Sequence, residues 1–292
     1  MVVGFLLRVF SAVLYYLHTA ILFTWTDYKT IFLPITVFAC ATAPVRSFTD
    51  LLQCWVWVWF HQLLCNVSNQ ARSREEDRLN RPWRPLPSGR ISESQAYALR
   101  WATVLLCIFI SSIYDQDLVL TTLGLVVTTF IYDELGAAGN VIGKALCTAG
   151  GYASFELGAT TIIGANHEMD SVSVTAVIIS GILIFTAIQA QDFPDVEGDK
   201  AVGRMTFPIY APELSRLLTL FATVAWSIFL SWFWGVGPIS TTAFISFGIH
   251  VGMRYYLWRT LEADRKSYLI FNVWLMAAHV LPLHARTSVL AF

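Results

Sequence analysis

Charged residues are scarce in this sequence. Asp, Glu, Lys and Arg make up 13% of the 292 residues, whereas 56% are hydrophobic. In soluble domains roughly a quarter of all residues are charged, so this deficit argues against an ordinary soluble protein. Several apolar runs approach the length that crosses a bilayer. The composition therefore predicts an all-α polytopic membrane protein, because only helices or closed barrels satisfy every backbone polar group within lipid.

Motifs of several common protein classes are also missing. The sequence contains no Walker loop, GxSxG elbow, dinucleotide fingerprint or nucleic-acid-binding module. Its five cysteines form no CxxC pair and no Cys/His cluster with ligand spacing, which is typical of reduced packing residues. We therefore expect neither a disulfide framework nor a nucleic-acid partner.

Residues 1–28 form the first of two predicted regions. The stretch "MVVGFLLRVFSAVLYYLHTAILFTW" is apolar, but it lacks a charged n-region followed by a small-residue cleavage site. We predict a retained apolar or interfacial helix here, followed by one transmembrane domain over residues 29–292.

About nine membrane spans are predicted in that domain. Loops after the even-numbered spans hold most of the Lys and Arg, whereas loops after the odd-numbered spans hold only Arg46. By the positive-inside rule, the basic loops and the amino terminus face the cytosol, and the carboxy terminus lies on the other side of the lipid membrane. The predicted spans are residues 31–45, 48–67, 94–113, 117–133, 141–163, 171–191, 212–233, 237–257 and 268–285.

The segment "QDFPDVEGDKAVGRMTFP" carries a set of spaced carboxylates directly after the sixth span. Asp192, Asp195 and Asp199 are spaced i, i+3 and i+7, so a helical end would place them on one face. Oxygen ligands of this kind suit Mg²⁺, which is usually bound together with substrate phosphates. Lys200 and Arg204 follow, as an anionic ligand would require. The alternative is a solvated loop at the membrane surface.

A second charged segment, "NQARSREEDRLNRPWRPLPSGR", follows the second span on the same predicted side. Asn69, Ser73, Glu76 and Asp77 are spaced i, i+4, i+7 and i+8, which is one helical face and a second set of oxygen ligands. Basic residues among the following prolines are available to contact a phosphate. Two acidic segments four helices apart suggest two four-helix units plus one helix, with a cap on the cytosolic side.

These two segments resemble the motifs of the UbiA superfamily of intramembrane prenyl-diphosphate enzymes. The first family motif reads roughly NxxxDxxxD followed by R-x-N-K/R-P-x-R-P-x-P-S-G, and here it stands as Asn69, Ser73 and Asp77, then "RLNRPWRPLPSGR". The second, DxxDxxxD, is intact. The resemblance covers almost the whole chain and implies a UbiA-type bundle of nine helices.

The resemblance also implies roles for individual residues and a Mg²⁺ cofactor. Tyr132 resembles a position that the family uses near the diphosphate, and an interfacial aromatic anchor is an equal alternative. The implied metal ligands are Asn69, Glu76, Asp77, Asp192, Asp195 and Asp199, with Asp77, Asp192 and Asp195 as catalytic residues. The implied diphosphate-binding residues are Arg78, Arg84, Lys144, Lys200, Arg204 and Tyr132.

Ser73 departs from the family pattern, in which an Asp is usual at this position. Glu76, or else Glu75, would then supply the missing carboxylate. The variant resembles fungal members of the superfamily, among them membrane-bound sesquiterpene cyclases. The resemblance thus implies cyclisation of farnesyl diphosphate, with prenyl transfer to an aromatic or other acceptor as the alternative. The predicted location is an integral membrane, the endoplasmic reticulum if the source is eukaryotic.

Other interpretations remain open from the sequence alone. A cation transporter or channel would need ionisable residues at mid-bilayer, and the predicted spans contain few. Near the last span, Asp264, Ser267 and Tyr268 either close the rim of the site or cap the helix. His61 either lines a cavity or is a buried histidine with satisfied hydrogen bonds.

Overall fold

The computed structural model describes residues 2–292, which fold into α-helices joined by short turns. An isolated bridge pairs Asn140 with Met205. The α-helices are α1 Val2–Thr24, α2 Leu33–Thr42, α3 Phe48–Arg72, α4 Arg74–Asn80, α5 Glu93–Ser112, α6 Gln116–Asp133, α7 Val141–Ile163, α8 Ser171–Ala187, α9 Val196–Ala201, α10 Phe207–Tyr210, α11 Pro212–Phe233, α12 Pro238–Leu257, α13 Leu261–Val280 and α14 His284–Thr287.

Polar side chains fix where the long helices begin. Ser92 and Gln95 form a reciprocal capping box at the start of α5. Asp115, Asn140 and Asp170 each accept a hydrogen bond from a backbone N–H in the first turn of α6, α7 and α8. Such caps satisfy donors that would otherwise be orphaned at a helix end. The helices therefore start close to the positions that the sequence predicts.

The long helices pack in chain order and close into a ring. Each helix packs on the one before it in the series α3, α5, α6, α7, α8, α11, α12 and α13. The last of these, α13, also packs on α2. Gly248 and Gly252 let α12 approach α11 closely, because a Cβ at either position would collide with Ser227, Thr223 or Leu220. Within the ring, α7 also packs on α2 and α3.

Apolar side chains cover both the interior and the outside of this ring. Trp57, Phe38 and Trp274 are fully buried, while many large apolar residues on α1, α5, α6 and α11 are exposed. Five helical stretches are long and apolar enough to cross a membrane: 4–42, 93–112, 171–201, 212–233 and 261–287. An α-helix overlaps each of the nine predicted spans, and the crossing of all nine stays a prediction.

The predicted continuous helices at the two charged segments are wrong in detail. The chain breaks at Ser73, between α3 and α4, so Asn69 and Asp77 lie on different helices. After α8 the chain continues as two 3₁₀ turns, Ile188–Gln191 and Phe193–Asp195, before α9 begins. The second turn begins at Phe193–Pro194, where the proline lacks the N–H that a regular helix would use.

Candidate active site

The two motif segments meet at one end of the bundle. The short helices α4 and α9 pack against each other. Gly198 faces the side chain of Asn80 so closely that a Cβ would overlap its amide group. Arg81 Nη2 lies 3.1 Å from both carboxylate oxygens of Asp195, joining the first segment to the second. The glycine in "DVEGD" therefore allows the two charged segments to come into contact.

A polar cavity of about 490 Å³ lies between these segments. Its walls come from the α1–α2 junction, the ends of α3, α6 and α8, and the starts of α7 and α13. Acidic and basic side chains both line it, so the cavity can bind cations and anions together. Its charged lining consists of Asp27, Lys29, Glu76, Arg81, Arg84, Lys144, Asp192, Asp195, Asp199, Arg204 and Arg265.

The carboxylates of the second segment face basic residues from other elements. Lys144 Nζ, on α7, is 2.6 Å from Asp192 Oδ1 and 3.8 Å from Asp199 Oδ2. Arg204 Nη1 is 3.6 Å from Asp199 Oδ1. Lys144 and Arg204 therefore both reach Asp199, one at each carboxylate oxygen.

The acids of the first segment are also ion-paired. Glu76 pairs with Arg204, and Asp77 Oδ1 lies 2.6 Å from Arg84 Nη1. Burial raises the pKa of Glu76, and Arg204 opposes that rise; burial likewise raises the pKa of Asp77, with Arg84 as the main opposing charge. Both carboxylates depend on positive charge nearby to remain ionised.

Ser73 ends α3 instead of supplying a carboxylate. Its Oγ donates to the backbone carbonyl of Asn69 at 3.0 Å and to Asp77 Oδ2 at 3.4 Å. Glu76 is buried and faces the cavity, whereas Glu75 is 68% exposed. Glu76 is therefore the residue whose position fits the missing carboxylate.

Asn69 is oriented by an acidic residue that sequence reasoning missed. Its Nδ2 donates to Asp133 Oδ1, on α6, at 3.0 Å. With the amide nitrogen held in this way, the amide oxygen is left to accept or coordinate. Asp133 follows Tyr132 at the end of α6, and that adjacency to a predicted site residue was the available signal.

Three of the predicted site residues lie outside the cavity lining. Asp77 is fully buried behind it, in contact with Arg84. Arg78 is 68% exposed and pairs with Glu75, because one helical step turns it away from its neighbour Asp77. Lys200 is exposed on the outer face of α9. The positions of Arg78 and Lys200 do not fit the predicted contact with a diphosphate.

An inner chamber of about 210 Å³ adjoins the polar cavity and extends into the bundle. Its deeper wall includes Ile35, Leu125, Tyr152 and Phe155, all buried. Trp57 packs edge to face on Phe155 behind that wall. The residues that line both spaces, called the boundary residues below, are Asp27, Thr30, Asn69, Tyr132, Gln191 and Tyr268.

Sequence reasoning missed most of the α1–α2 junction. Asp27, Lys29 and Thr30 all line the polar cavity. The chain runs there as a 3₁₀ turn, Trp25–Asp27, and a π-helical turn, Tyr28–Phe32. The signal was a polar cluster, "TDYKT", between two apolar runs, which fell at the predicted domain boundary.

The structure shows the contacts of three residues whose roles the sequence left open: Tyr268, Asp264 and His61. Tyr268 lines both spaces and forms part of the rim, whereas Asp264 pairs with Arg216 at 2.9 and 3.0 Å. Thr260 caps α13. His61 is a buried histidine with both ring nitrogens in hydrogen bonds, to Trp57 O at 2.8 Å and Thr122 Oγ1 at 2.9 Å.

The donor set fits a divalent cation, although it is not assembled into a closed cage. Among residues 2–292, no group of three or more His, Cys, Asp or Glu side chains is close enough to hold a metal. Within the same residues, both carboxylate oxygens of Asp199 are buried without a hydrogen-bond partner. Buried carboxylate oxygens are costly unless a cation or donor meets them. A hard cation such as Mg²⁺ would satisfy them.

A third space, the lateral groove, opens on the outside of α7, α8 and α11. It has a volume of about 560 Å³ and is mostly apolar, with Phe185, Phe221 and Trp226 among its lining residues. At one end it reaches Lys144 and Asp192, which also line the polar cavity.

The fold and site define an integral, multi-pass helical membrane protein with a charged cavity above an apolar chamber. The chain belongs to the UbiA prenyltransferase family, whose model matches residues 30–276. A fumagillin beta-trans-bergamotene synthase of Aspergillus fumigatus is 28% identical over 272 residues, covering 93% of each chain. A diterpene cyclase of Hericium erinaceus is 28% identical over 266 residues, covering 86% of this chain and 82% of that one.

The solved structures that are similar to this chain confirm the fold. A UbiA homologue from Archaeoglobus fulgidus, bound to GPP and Mg²⁺, has a TM-score of 0.69. It covers 93% of this chain and 100% of that one, at 17% sequence identity. The resemblance that the two motifs predict is thus confirmed at the level of family and architecture.

Proposed function

We propose that this protein ionises an allylic prenyl diphosphate with the help of Mg²⁺ and cyclises the prenyl chain to a terpene hydrocarbon. The substrate is farnesyl diphosphate and the product a sesquiterpene. The observation that carries the proposal is the junction of a charged cavity with an apolar chamber. A prenyl diphosphate has the matching two-part chemistry, an anionic head and an apolar chain.

The basic residues of the cavity hold the diphosphate. Lys144 and Arg204 lie on either side of Asp199, and Arg84 approaches from the first segment. Guanidinium and ammonium groups form strong charge-assisted hydrogen bonds with phosphate oxygens. These basic groups pair with carboxylates of the two motif segments, so their charges are balanced within the site.

The acidic residues supply oxygen ligands for a metal. Asn69, Glu76, Asp192, Asp195 and Asp199 line the cavity, and Asp77 supports them through Arg84. When bound, Mg²⁺ neutralises charge that develops on the leaving diphosphate. The protein residues fix the diphosphate at the mouth of the chamber and keep its leaving oxygen in the charged cavity.

The chamber protects and folds the prenyl chain. Leu125 and Phe155 are buried apolar walls that exclude water, which would otherwise capture a carbocation. The rings of Tyr152 and Tyr268 also line the chamber and can stabilise a cation through their faces. Capture of the cation by the chain's own alkenes gives a cyclised cation. Loss of a proton from that cation, with the released diphosphate as the acceptor, gives the neutral hydrocarbon.

Transfer of the prenyl group to an acceptor is the second candidate function. The lateral groove favours it, because this apolar space reaches Lys144 and Asp192 from outside the chamber. An aromatic or other apolar acceptor in the groove would approach the reacting end of the prenyl chain. The names of the two fungal relatives described above, a synthase and a cyclase, support the first candidate, and a polyprenyl transferase of Hericium erinaceus, 26% identical over 280 residues, supports the second.

The membrane arrangement that accompanies this function is a nine-span UbiA-type bundle, two four-helix units plus one, with a cap over the site. Its charged end faces the cytosol, where water-soluble Mg²⁺ and diphosphate are exchanged. Six arginines lie between the end of α3 and the start of α5, which supports this orientation by the positive-inside rule: Arg72, Arg74, Arg78, Arg81, Arg84 and Arg90. In a eukaryotic cell, the membrane would be the endoplasmic reticulum.

The test is to give membranes containing the protein farnesyl diphosphate and Mg²⁺ with no acceptor. Gas chromatography of the headspace should detect a sesquiterpene hydrocarbon, and release of diphosphate should match its amount. Asp192→Asn should abolish both signals. Asp170→Asn is the matched control, since Asp170 caps the start of α8, outside the cavity lining, and Asn caps nearly as well.

The outcome distinguishes the two candidates. Substrate consumption only after an aromatic acceptor is added would establish the transferase and contradict the cyclase. If Asp192→Asn retains full activity, the assignment of this cavity as the active site is wrong.

A further inference from the structure

Asp27 occupies a position that neither family motif covers. It lies in the α1–α2 junction, where a 3₁₀ turn passes into the π-helical turn Tyr28–Phe32. π-Helical turns are rare in proteins, and those that occur are often found at functional sites. Asp27 and Thr30 from this junction line both the polar cavity and the inner chamber.

The carboxylate of Asp27 is held in place by neutral hydroxyl groups. Thr30 Oγ1 donates to Asp27 Oδ1 at 2.8 Å, and Thr26 Oγ1 donates to Oδ2 at 3.2 Å. Arg84 Nη2 in turn donates to Thr26 Oγ1 at 3.1 Å. The carboxylate is thus fixed in orientation before any substrate binds, and the link through Thr26 reaches the residue that pairs with Asp77.

Asp27 differs in this respect from the other acids of the cavity. Glu76, Asp192 and Asp195 each pair with Arg or Lys. Within residues 2–292, the hydrogen bonds to the Asp27 carboxylate come from threonines, and its negative charge is left without a salt bridge. It is also the charged member of the boundary residues.

The boundary residues are where bond cleavage must occur, if the proposed function is correct. A diphosphate held in the polar cavity and a prenyl chain held in the chamber place the C1–O bond between them. We infer that Asp27 is a catalytic residue, whose fixed negative charge stabilises the allylic cation as that bond breaks. The C1–O bond breaks heterolytically, its electron pair leaves with the diphosphate, and Asp27 forms no covalent bond.

The effect should appear in the transition state more than in substrate binding. C1 of the bound substrate carries little charge, and the nearby diphosphate is repelled by Asp27. Positive charge at C1 develops only as the bond breaks, so attraction to Asp27 then grows. An interaction that strengthens only in the transition state raises kcat without tightening substrate binding.

The test compares Asp27→Asn with the wild type and with Asp170→Asn as a charge-matched control. Asp27→Asn should lower kcat for diphosphate release by about 10- to 100-fold. The KM, and the Kd for farnesyl thiodiphosphate with Mg²⁺, should stay unchanged or fall, because a repulsive charge is removed. Asp27→Glu should retain part of the lost rate, and a thermal unfolding scan verifies that each variant is folded.

The possible failures can be told apart. A wild type that releases no diphosphate from any prenyl diphosphate would overturn the proposed function and this inference with it. An active wild type with an Asp27→Asn variant of equal kcat would overturn only the inference. A folded Asp27→Asn variant that binds the thiodiphosphate more than about tenfold more weakly would make Asp27 a binding residue, which also overturns it.

Discussion

Two groups of buried polar side chains in this bundle are hydrogen bonded in different ways. In the middle of the bundle, Trp57 Nε1 donates to Ser111 Oγ at 2.9 Å, and Ser111 meets Thr122 at 2.7 Å. One ring nitrogen of His61 is hydrogen bonded to Thr122, and the other is hydrogen bonded to the backbone carbonyl of Trp57. At the end of the bundle, Asp199 is as deeply buried, but within the described residues neither carboxylate oxygen has a hydrogen-bond partner.

The difference separates a structural cluster from a binding site. A closed network satisfies its own donors and acceptors, so it stabilises the fold and has nothing left to offer a ligand. Unsatisfied buried oxygens cost stability and persist where a ligand can meet them. Burial of a polar group is thus poor evidence for function in this protein, whereas an unmet hydrogen-bonding capacity in a cavity is better evidence.

The largest effect is expected from Asp199→Asn. Product formation should fall about 100- to 1,000-fold, because one oxygen ligand and its charge are lost where charge develops in the transition state. The melting temperature in EDTA should change little, since Lys144 and Arg204 keep Asp192 and Glu76 as ion-pair partners when the Asp199 charge is removed. Enzyme assay and thermal unfolding in detergent measure the two. A large fall in melting temperature would instead make Asp199 part of the structural framework.

Gly198→Ala should have the next largest effect. The new methyl group would overlap the Asn80 side chain and separate α4 from α9. We expect about a tenfold loss of activity and a loss of about 1–3 kcal/mol of unfolding free energy from overpacking. Gly181→Ala on α8 is the control, because a Cβ there meets open space. Equal behaviour of the two variants would show that contact between the motif segments is unimportant.

Thr122→Val should show the opposite pattern from Asp199→Asn. Loss of the hydroxyl leaves Ser111 and His61 without a shared partner, which should cost about 1–3 kcal/mol of stability. The activity per folded molecule should be retained. Thr121→Val is the control, since the Thr121 hydroxyl is exposed and bonds only within its helix, to Asp117 O. A stable but inactive Thr122→Val variant would link this cluster to catalysis.

Arg78→Gln and Lys200→Gln should have the smallest effect. Both side chains are exposed outside the cavity lining, so steady-state activity should stay within about twofold of the wild type, as expected for surface charges. Arg84→Gln, in the same segment as Arg78, is the comparison that should lose activity. A loss in either exposed variant that matches Arg84→Gln would return these residues to the site.

The helices and the two motif segments were predictable because their signals are local. The apolar runs predicted most helix starts within two residues, although α13 begins seven residues before the predicted span, and polar caps such as Asp115 and Asp170 mark where two helices begin. The spacing of the second motif predicted Asp192 and Asp199, and the family resemblance predicted Lys144, which lies beside both. These predictions need only sequence periodicity and a known pattern.

The errors arose where tertiary contacts decide the outcome. Spacing could not predict that the chain breaks at Ser73, or that Arg84 would pair with Asp77 across the following turn. Arg78 is exposed and Arg84 is buried, although both lie in the same motif. Asp27 was missed because a lone acid between two apolar runs becomes part of a site only when the ring of helices closes around it.

The most direct test of the central claim is binding of farnesyl thiodiphosphate to detergent-solubilised protein, measured calorimetrically with Mg²⁺ and with EDTA. The wild type should bind the analogue with Mg²⁺ and lose at least about tenfold in affinity in EDTA, whereas Asp199→Asn should bind weakly in both. Equal affinity with and without Mg²⁺, or wild-type affinity in Asp199→Asn, would contradict the claim that the unsatisfied carboxylates form a metal-dependent diphosphate site.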